Sequence, residues 1–306
     1  MMNEPIKYIS KVEIKNLWGR YDFEWNLDPE VNILSGINGS GKSTVLGCVA
    51  IGVRYDTFPE ELAKLIDSIT IQFNNSKVIE LNKNNSFGGG LLNGLFLNND
   101  VLKANLEIDR IATFDKPLNR NASPDEKVST ELDKDIFFLN QKYLAYQNNI
   151  LNKTIKALSN SNNSDLEEIK NITRKRERLL DIIDELFKDT GKRVDRNIEG
   201  KNTDILFVIG KNQLTPYSLS SGEKQILVIL LTVLVQDNKP SILFMDEPEV
   251  SLHIDWQRKL SPYIRELNPN VQIIIATHSP GIIMDGWMDK VFEMSDLITL
   301  DRKAKS

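Results

Sequence analysis

Residues 31–44 have the sequence VNILSGINGSGKST, in which an apolar segment leads into a glycine-rich turn and then into Lys-Ser-Thr. The turn has the pattern Gly-x-x-x-x-Gly-Lys-Ser beginning at Gly36, which is typical of loops that bind phosphate. Its glycines let backbone N–H groups point at an anion, and a helix beginning near Lys42 directs its positive dipole end there. We expect Lys42 to contact the outer phosphates and the Ser43 hydroxyl to hold a magnesium ion.

The composition is that of a globular protein with one large or two smaller domains. The chain has 306 residues, of which 41% are hydrophobic, and a formal net charge of -5, so nucleic acid would require a local basic patch. The single cysteine, Cys48, is expected to be a buried free thiol, which fits a reducing, cytoplasmic compartment. The longest apolar run, residues 226–235, is about half the length that spans a bilayer and predicts a buried helix.

Two alternating segments precede the loop and predict a small antiparallel sheet. They are residues 12–14 (VEI) and 21–25 (YDFEW). The aromatic residues of this region are Trp18, Tyr21, Phe23 and Trp25. One of them could stack on a nucleotide base, but a half-buried sheet face is the favoured interpretation.

The middle of the chain, residues 61–204, contains a predicted hairpin at 69–81 and a helical pattern at about 135–187. A basic stripe of Lys170, Arg174 and Arg178 could bind a phosphate backbone. Acidic residues three positions away could pair with it, and a solvated helix face is therefore favoured. They are Glu167, Glu177 and Asp181.

Residues 241–247 (SILFMDE) are an apolar strand that ends in two carboxylates. A continuous apolar run predicts a strand buried on both faces of a mostly parallel sheet, where ligands bind beyond the carboxyl ends. Asp246 is thus placed to hold the magnesium ion, and Glu247 to accept a proton from an attacking water.

Residues 271–279 (VQIIIATHS) repeat this design and deliver His278 to the same edge, where an imidazole can hydrogen-bond a terminal phosphate. The other histidine, His253, lies in a predicted loop facing solvent or a partner, and we give it no catalytic role.

Residues 219–225 (LSSGEKQ) precede the apolar helix and offer serine hydroxyls and free N–H groups, a second potential anion site. Taken alone, this pattern is no more than a helix N-cap.

The order of these motifs resembles that of ABC-type ATPases, and in particular the soluble branch that includes RecF, the SMC proteins and the OLD-family ATPases. The sequence DEPEVSLH at 246–253 and the sequence THSP at 277–280 are similar to that branch. The resemblance covers residues 8–60 and 205–300 well, and 61–204 in general layout only.

The resemblance implies a fold and site roles. The fold is α/β, a P-loop NTPase head of the ABC type, with an N-terminal antiparallel β subdomain and a helical insertion. It implies an ATPase core at 1–60 and 205–306 with an insertion at 61–204. Glu247 and His278 would be catalytic, and Ser43 and Asp246 would hold Mg²⁺. The residues that would wrap ATP are Asn38, Gly39, Ser40, Gly41, Lys42, Ser43 and Thr44.

Ser220 and Gly222 match the family's signature loop, which completes the site of a second subunit. The family also has a glutamine on the loop leading into the helical arm, and Gln141 is a candidate. A homodimer that closes around ATP would act as a switch. Because the chain ends soon after the histidine strand, we expect an effector to be a separate protein, and nucleic acid is a further candidate partner.

Three functions have to be distinguished. The first is an ATP-hydrolysing switch that controls a partner, in a setting such as bacterial anti-phage defence or DNA repair. The second is the ATPase subunit of a membrane transporter, which the gap of about 175 residues between loop and signature disfavours. The third, a scaffold that does not hydrolyse ATP, is disfavoured by the presence of Lys42, Asp246 and Glu247.

Overall fold

The computed structural model describes most of the chain. The described residues are 4–54, 60–82, 91–92, 95–97, 106–111, 115–118, 123–160, 163–196, 205–283 and 286–301. The chain divides into two compact units. Unit 1 contains Met1–Ile111, Lys239–Pro248 and Asn270–Ser306, and unit 2 contains Ala112–Asn238 and Glu249–Pro269. The division expected from the sequence, an ATPase core at 1–60 and 205–306 with an insertion at 61–204, stays a prediction.

Unit 1 contains a seven-stranded antiparallel sheet. Its strands are β1 (Ile9–Leu17), β2 (Tyr21–Asn26), β4 (Ser68–Phe73), β5 (Val78–Asn82), β6 (Leu91–Leu92), β7 (Leu95–Leu97) and β15 (Ile298–Asp301). Their order across the sheet is β15-β2-β1-β4-β5-β7-β6. The alternating sequences produce this sheet because every second side chain, such as Val12 and Ile14, is buried. The predicted N-terminal sheet and the hairpin at 69–81 are confirmed.

The second sheet of unit 1 is parallel. Its strands are β3 (Val31–Ser35), β8 (Glu107–Ile111), β12 (Ser241–Asp246), β13 (Val271–Ala276) and β14 (Val291–Glu293). They lie in the order β14-β3-β13-β12-β8. All residues of β3 and β13, and the first five of β12, are buried, which explains their largely apolar sequences.

Helix α1 (Lys42–Arg54) packs between the two sheets. Its buried residues Val45, Leu46 and Val49 share one core with residues of both sheets, and Cys48 is a buried free thiol as predicted. Unit 1 also contains the short helices α2 (Glu60–Ala63) and α7 (Pro280–Ile283). This arrangement confirms the expected fold class, an α/β head with an antiparallel subdomain.

Unit 2 is mainly helical. Its helices are α3 (Glu131–Asn160), α4 (Asn163–Leu186), α5 (Ser221–Val235) and α6 (Ile254–Leu267). A small antiparallel sheet accompanies them, with strands β9 (Lys192–Val194), β10 (Phe207–Ile209) and β11 (Asn212–Leu214) in the order β11-β10-β9. Helix α5 is buried from Gly222 to Leu234, which confirms the buried helix predicted at 226–235.

The basic stripe of α4 is only partly paired as expected. Lys170 contacts Glu167 at 3.0 Å, as predicted. Arg178 instead forms a bidentate pair with Glu266 of α6, at 2.7 and 3.1 Å. This second pairing was not foreseeable, because it joins residues that are 88 positions apart.

Candidate functional site

The glycine-rich loop closes around the lysine that follows it. Strand β3 ends at Ser35 and α1 begins at Lys42, a residue that is only 4% exposed. The Lys42 Nζ donates to the carbonyl of Gly36 at 2.8 Å and to that of Ile37 at 3.3 Å. Gly41 has a φ of +100°, a backbone conformation that favours glycine. The loop is therefore folded with its ammonium group inside.

The other loop residues named from the sequence lie at the surface of the same turn. Asn38, Gly39 and Ser43 are exposed, and Ser40 and Thr44 are half-buried. The Ser40 N–H donates to the Ile37 carbonyl at 3.1 Å, which closes the turn.

Asp246, the last residue of β12, lies beside the loop. The Ser43 hydroxyl donates to its Oδ1 at 2.9 Å, although 203 positions separate the two residues. Burial raises the pKa of the Asp246 carboxyl, and the Ser43 hydrogen bond and the charges of Arg110 and Lys42 oppose that shift. The pair joins a hydroxyl and a carboxylate, which are hard oxygen donors of the kind that Mg²⁺ prefers.

Glu247 has a strained backbone, with a φ of +44°. Its N–H donates to the Ala276 carbonyl at 2.7 Å, and its Oε1 lies 3.5 Å from His278 Nδ1. The Glu247 and His278 side chains are 27% and 49% exposed. A carboxylate and an imidazole are thus held together where a ligand could reach both.

The sheet register explains why these residues meet. In the parallel pairs, Asp246 aligns with Ala276 of β13, and Ala276 aligns with Leu34 of β3. The loop after β3, Glu247 and His278 therefore emerge at one edge of the sheet. As expected from the sequence, Lys42, Asp246 and His278 lie at this common edge.

Sequence reasoning missed Arg110. It lies on the edge strand β8 in register with Phe244, so it shares a sheet face with Asp246 two residues further on. Its charge acts on the Asp246 carboxyl, as described above. The residues around Arg110 form a short strand, and only the order of the sheet places that strand next to β12.

The aromatic residues of the N-terminal sheet divide into two groups. Phe23 and Trp25 are fully buried in the core, as the favoured interpretation predicts. Trp18 and Tyr21 are half-buried, and the Trp18 ring packs against Gly41 of the glycine-rich loop.

In unit 2, the serine motif forms the start of α5. Ser220 is the N-cap and forms a capping box with Glu223, whose Oε2 accepts from the Ser220 N–H at 2.8 Å. Lys192 donates to both Glu223 oxygens at 2.8 Å. Burial would raise the pKa of Glu223, but the hydrogen bonds from Lys192 and Ser220 outweigh it and the pKa is lowered. Ser220 itself is exposed.

Gly222 is required by packing within unit 2. A Cβ at this position would lie 2.2 Å from the carbonyl oxygen of Ser251, which belongs to the turn before α6. Gln257 holds the same turn by donating to the Leu252 carbonyl at 2.8 Å. The sequence indicated a glycine for anion binding, whereas the structure adds a steric reason for it.

Two further sequence-based expectations have clear outcomes. Gln141 lies within helix α3 and not on a loop, so the suggestion that it is the loop glutamine is wrong. His253 is exposed and is the N-cap of α6, where its Nδ1 accepts from the Asp255 N–H at 3.4 Å. This agrees with the solvent-facing position expected for it.

The Ser43–Asp246 pair is also the candidate site for a metal ion. Among the described residues there is no group of three or more His, Cys, Asp or Glu side chains that could hold a metal. Mg²⁺ needs no such cage when phosphates and water supply most of its ligands, so the Ser43–Asp246 pair fits this ion. Within the described ranges, no helix combines the length and apolar character that crossing a membrane requires.

Comparison with curated proteins finds short matches. A molybdenum import ATP-binding protein ModC of Vibrio parahaemolyticus is 40% identical over 79 residues, which are 25% of this chain and 21% of that protein. The "Retron Ec83 probable ATPase" of Escherichia coli is 28% identical over 99 residues, 28% of this chain and 18% of that protein. The matched stretches thus span about a fifth of these relatives' length.

Solved structures match over nearly the whole chain. The Smc head domain of Pyrococcus furiosus, with an extended coiled coil and bound to the C-terminal domain of ScpA, gives a TM-score of 0.52 at 17% identity. It covers 92% of each chain. An SmcHead bound to the C-winged helix domain of ScpA gives 0.55 at 17% identity and covers 91% of each chain. The chain therefore has the fold of Smc head domains.

The match to a protein family is equally extensive. A family model described as "AAA domain, putative AbiEii toxin, Type IV TA system" matches residues 31–285. Because this match covers most of the sequence, the chain belongs to that family.

Proposed function

We propose that this protein is a Mg²⁺-dependent ATPase that acts as a molecular switch. The observation that carries the proposal is the 2.9 Å hydrogen bond between Ser43 and Asp246, formed beside the enclosed Lys42. Two elements that are distant in sequence, the start of α1 and the end of β12, supply a cation, a hydroxyl and a carboxylate at one sheet edge. This is the set that triphosphate and Mg²⁺ require.

Residues 38–44 would surround the phosphates of ATP. The Lys42 ammonium, now bonded to carbonyls of its own loop, would turn to the outer phosphates. Ser43 and Asp246 would hold Mg²⁺, which when bound neutralises charge on the phosphate oxygens. Arg110 adds positive charge on the same face as Asp246.

Glu247 would act as the general base. Its carboxylate would accept a proton from the water that attacks the terminal phosphate. His278, 3.5 Å away at Nδ1, would orient this carboxylate and offer its other nitrogen to the phosphate. The strained backbone of Glu247 supports a functional role, because such conformations concentrate at active sites.

A homodimer is proposed to complete the site. The first turn of α5 presents an exposed N-cap, Ser220, whose hydroxyl donates to Glu223 and would have to turn to an anion, while the N–H groups that follow it suit one. Ser220 and Gly222 of one subunit would contact the ATP held by its partner. The Smc head fold supports this proposal, and a switch results because the dimer lasts only while the terminal phosphate is present.

The wider setting is also proposed. The likeness to a retron ATPase and the family description favour a role in bacterial defence, with DNA repair as the other candidate. A separate effector protein would receive the signal, nucleic acid is a further candidate partner, and the compartment would be the cytoplasm. The ATPase core would comprise 1–60 and 205–306.

A second candidate is the ATPase subunit of a transporter. The 40% identity to ModC over 79 residues is the observation that favours it. Co-purification with a membrane permease would support this alternative, and co-purification with an effector that has no membrane segment would support the switch.

The decisive experiment uses Glu247→Gln. This variant should bind ATP normally, hydrolyse it about 10²–10⁴ times more slowly, and accumulate as an ATP-bound dimer. Phosphate release and light scattering after size-exclusion chromatography measure these effects. Lys42→Ala should bind no ATP, and Glu80→Gln, on an exposed position of β5, should behave as wild type. Unchanged turnover in Glu247→Gln would remove Glu247 from its proposed role.

A further inference from the structure

Trp18 has an unusual backbone conformation. It lies in the turn between β1 and β2 with a φ of +55°, in the left-handed region that bulky residues rarely adopt. The turn holds it there, because the Trp18 N–H donates to the Leu65 carbonyl at 2.6 Å. Strain of this kind persists only where the surroundings impose it, and it is a reason to ask what the side chain does.

The Trp18 side chain contacts the glycine-rich loop, the proposed phosphate loop, directly. A Cβ built on Gly41 would lie 1.7 Å from the Cη2 of the Trp18 ring and 2.4 Å from its Cζ2. The ring thus occupies the space that a side chain at position 41 would need. Gly41 is the loop residue with a φ of +100°, immediately before Lys42.

Neighbouring side chains fix the orientation of this ring. Tyr21 meets Trp18 edge to face, with ring centroids 6.2 Å apart and an interplanar angle of 84°. The Arg20 guanidinium lies 4.5 Å from the Tyr21 ring centroid. Arg20 is in turn held by Asp301 of β15 through two hydrogen bonds of 2.8 and 2.7 Å. The antiparallel sheet therefore supports the ring through Tyr21 and Arg20.

We propose that Trp18 is a positioning residue for the phosphate loop. By packing on Gly41, its ring holds the loop in the left-handed conformation that lets the backbone N–H groups converge on phosphate before nucleotide arrives. The favourable effect on affinity comes from preorganisation, since less loop ordering remains to be done on binding. Trp18 would therefore favour the binding of the phosphates, whichever base the nucleotide carries.

This inference rests on the proposed ATP-binding function and makes a distinct prediction. If Trp18 instead stacked on the base, its removal would weaken the binding of nucleotides and leave the binding of inorganic polyphosphate unchanged. If it positions the loop, ATP and inorganic tripolyphosphate must lose affinity together. The two ligands share the phosphates and differ in the nucleoside.

The experiment compares Mg²⁺-ATP and Mg²⁺-tripolyphosphate by calorimetry in wild type, Trp18→Ala and Trp18→Phe. We expect Trp18→Ala to weaken the binding of both ligands by the same factor of about ten, and Trp18→Phe, whose ring reaches less far towards Gly41, to restore part of the affinity. Thermal unfolding of each variant shows that it is folded, and Trp18→Leu replaces the alanine variant if that one is not. Tyr8→Ala is the matched control and should change neither affinity, because Tyr8 precedes the start of β1 and Trp18 follows the end of that strand.

The possible outcomes are separable. A loss confined to ATP would overturn the positioning role in favour of base stacking, and unchanged affinities in Trp18→Ala would overturn it outright. A wild-type protein that binds neither ligand would refute the proposed ATP-binding function itself, and this inference with it.

Discussion

The ion pair between Lys224 and Asp133 ties the first turn of α5 to the first turn of α3 within unit 2. Lys224 Nζ lies 2.8 Å from Asp133 Oδ1, and the two side chains are only 9% and 1% exposed. Burial would raise the pKa of Asp133, but Lys224 and hydrogen bonds from Ser129 lower it below its ordinary value. The carboxylate is therefore charged, buried and dependent on its lysine.

Lys224→Met removes the ammonium group and keeps an unbranched apolar side chain. Breaking a buried pair from one side costs about 3–5 kcal/mol, because the remaining charge stays buried. The other Asp133 oxygen, Oδ2, keeps hydrogen bonds from the Ser129 N–H, the Ser129 hydroxyl and the Thr130 N–H. We therefore expect the lower end of the range, a loss of about 3 kcal/mol in the free energy of unfolding.

Urea denaturation, monitored by tryptophan fluorescence, measures this loss. The matched control is Lys259→Met, which breaks a 3.0 Å pair with Glu185 whose side chains are 47% and 44% exposed. An exposed pair of this kind is worth less than about 1 kcal/mol. The double variant Lys224→Met with Asp133→Asn should recover much of the stability, because no uncompensated charge remains. Equal losses in the two Lys→Met variants would refute the reasoning that burial decides the cost.

Three further outcomes are expected. Ser220→Arg should leave ATP binding intact but prevent ATP-dependent dimerisation, because it places a long charged side chain at the exposed N-cap; dimers in light scattering would contradict the proposed contact. Because the pKa of Glu223 is lowered in the folded state, its ionised carboxylate should stabilise the fold at pH values above its ordinary pKa of 4.5. This stabilisation is lost as the pH falls through the lowered pKa. Glu223→Gln should therefore show a smaller fall in thermal stability on acidification than wild type. Burial raises the pKa of the Cys48 thiol to about 12, so a thiol reagent should modify Cys48 only after denaturation.

The elements at the sheet edge were predictable because their signals are local. The apolar sequences of β12 and β13 predict buried strands, and the residues after such strands must emerge at one end of a parallel sheet. The glycine pattern before Lys42 is a local signal as well, and it predicts the loop. Backbone preference and alternation of side chains are properties of short segments, and they can be evaluated without knowing what packs against them.

The contacts that refine the site were not predictable in this way. The loop glutamine was not found: the candidate, Gln141, lies within α3, inside the helical pattern that the sequence itself predicts at about 135–187. Arg110 became a neighbour of Asp246 only through the placement of β8 beside β12. The serine motif gave a correct N-cap at Ser220, but it did not reveal that the half-buried Lys192 holds Glu223.

The amino-acid sequence alone determined the class of fold, the phosphate loop and the set of residues expected at the sheet edge, because each depends on patterns within a few consecutive residues. The tertiary structure alone decided that the Trp18 ring rests on Gly41, that Lys224 neutralises Asp133, and that Gly222 must be small to pass Ser251. These contacts join segments that are far apart in the chain. Their energies come from the exclusion of water and the matching of shapes between elements, which arise only when the elements have packed.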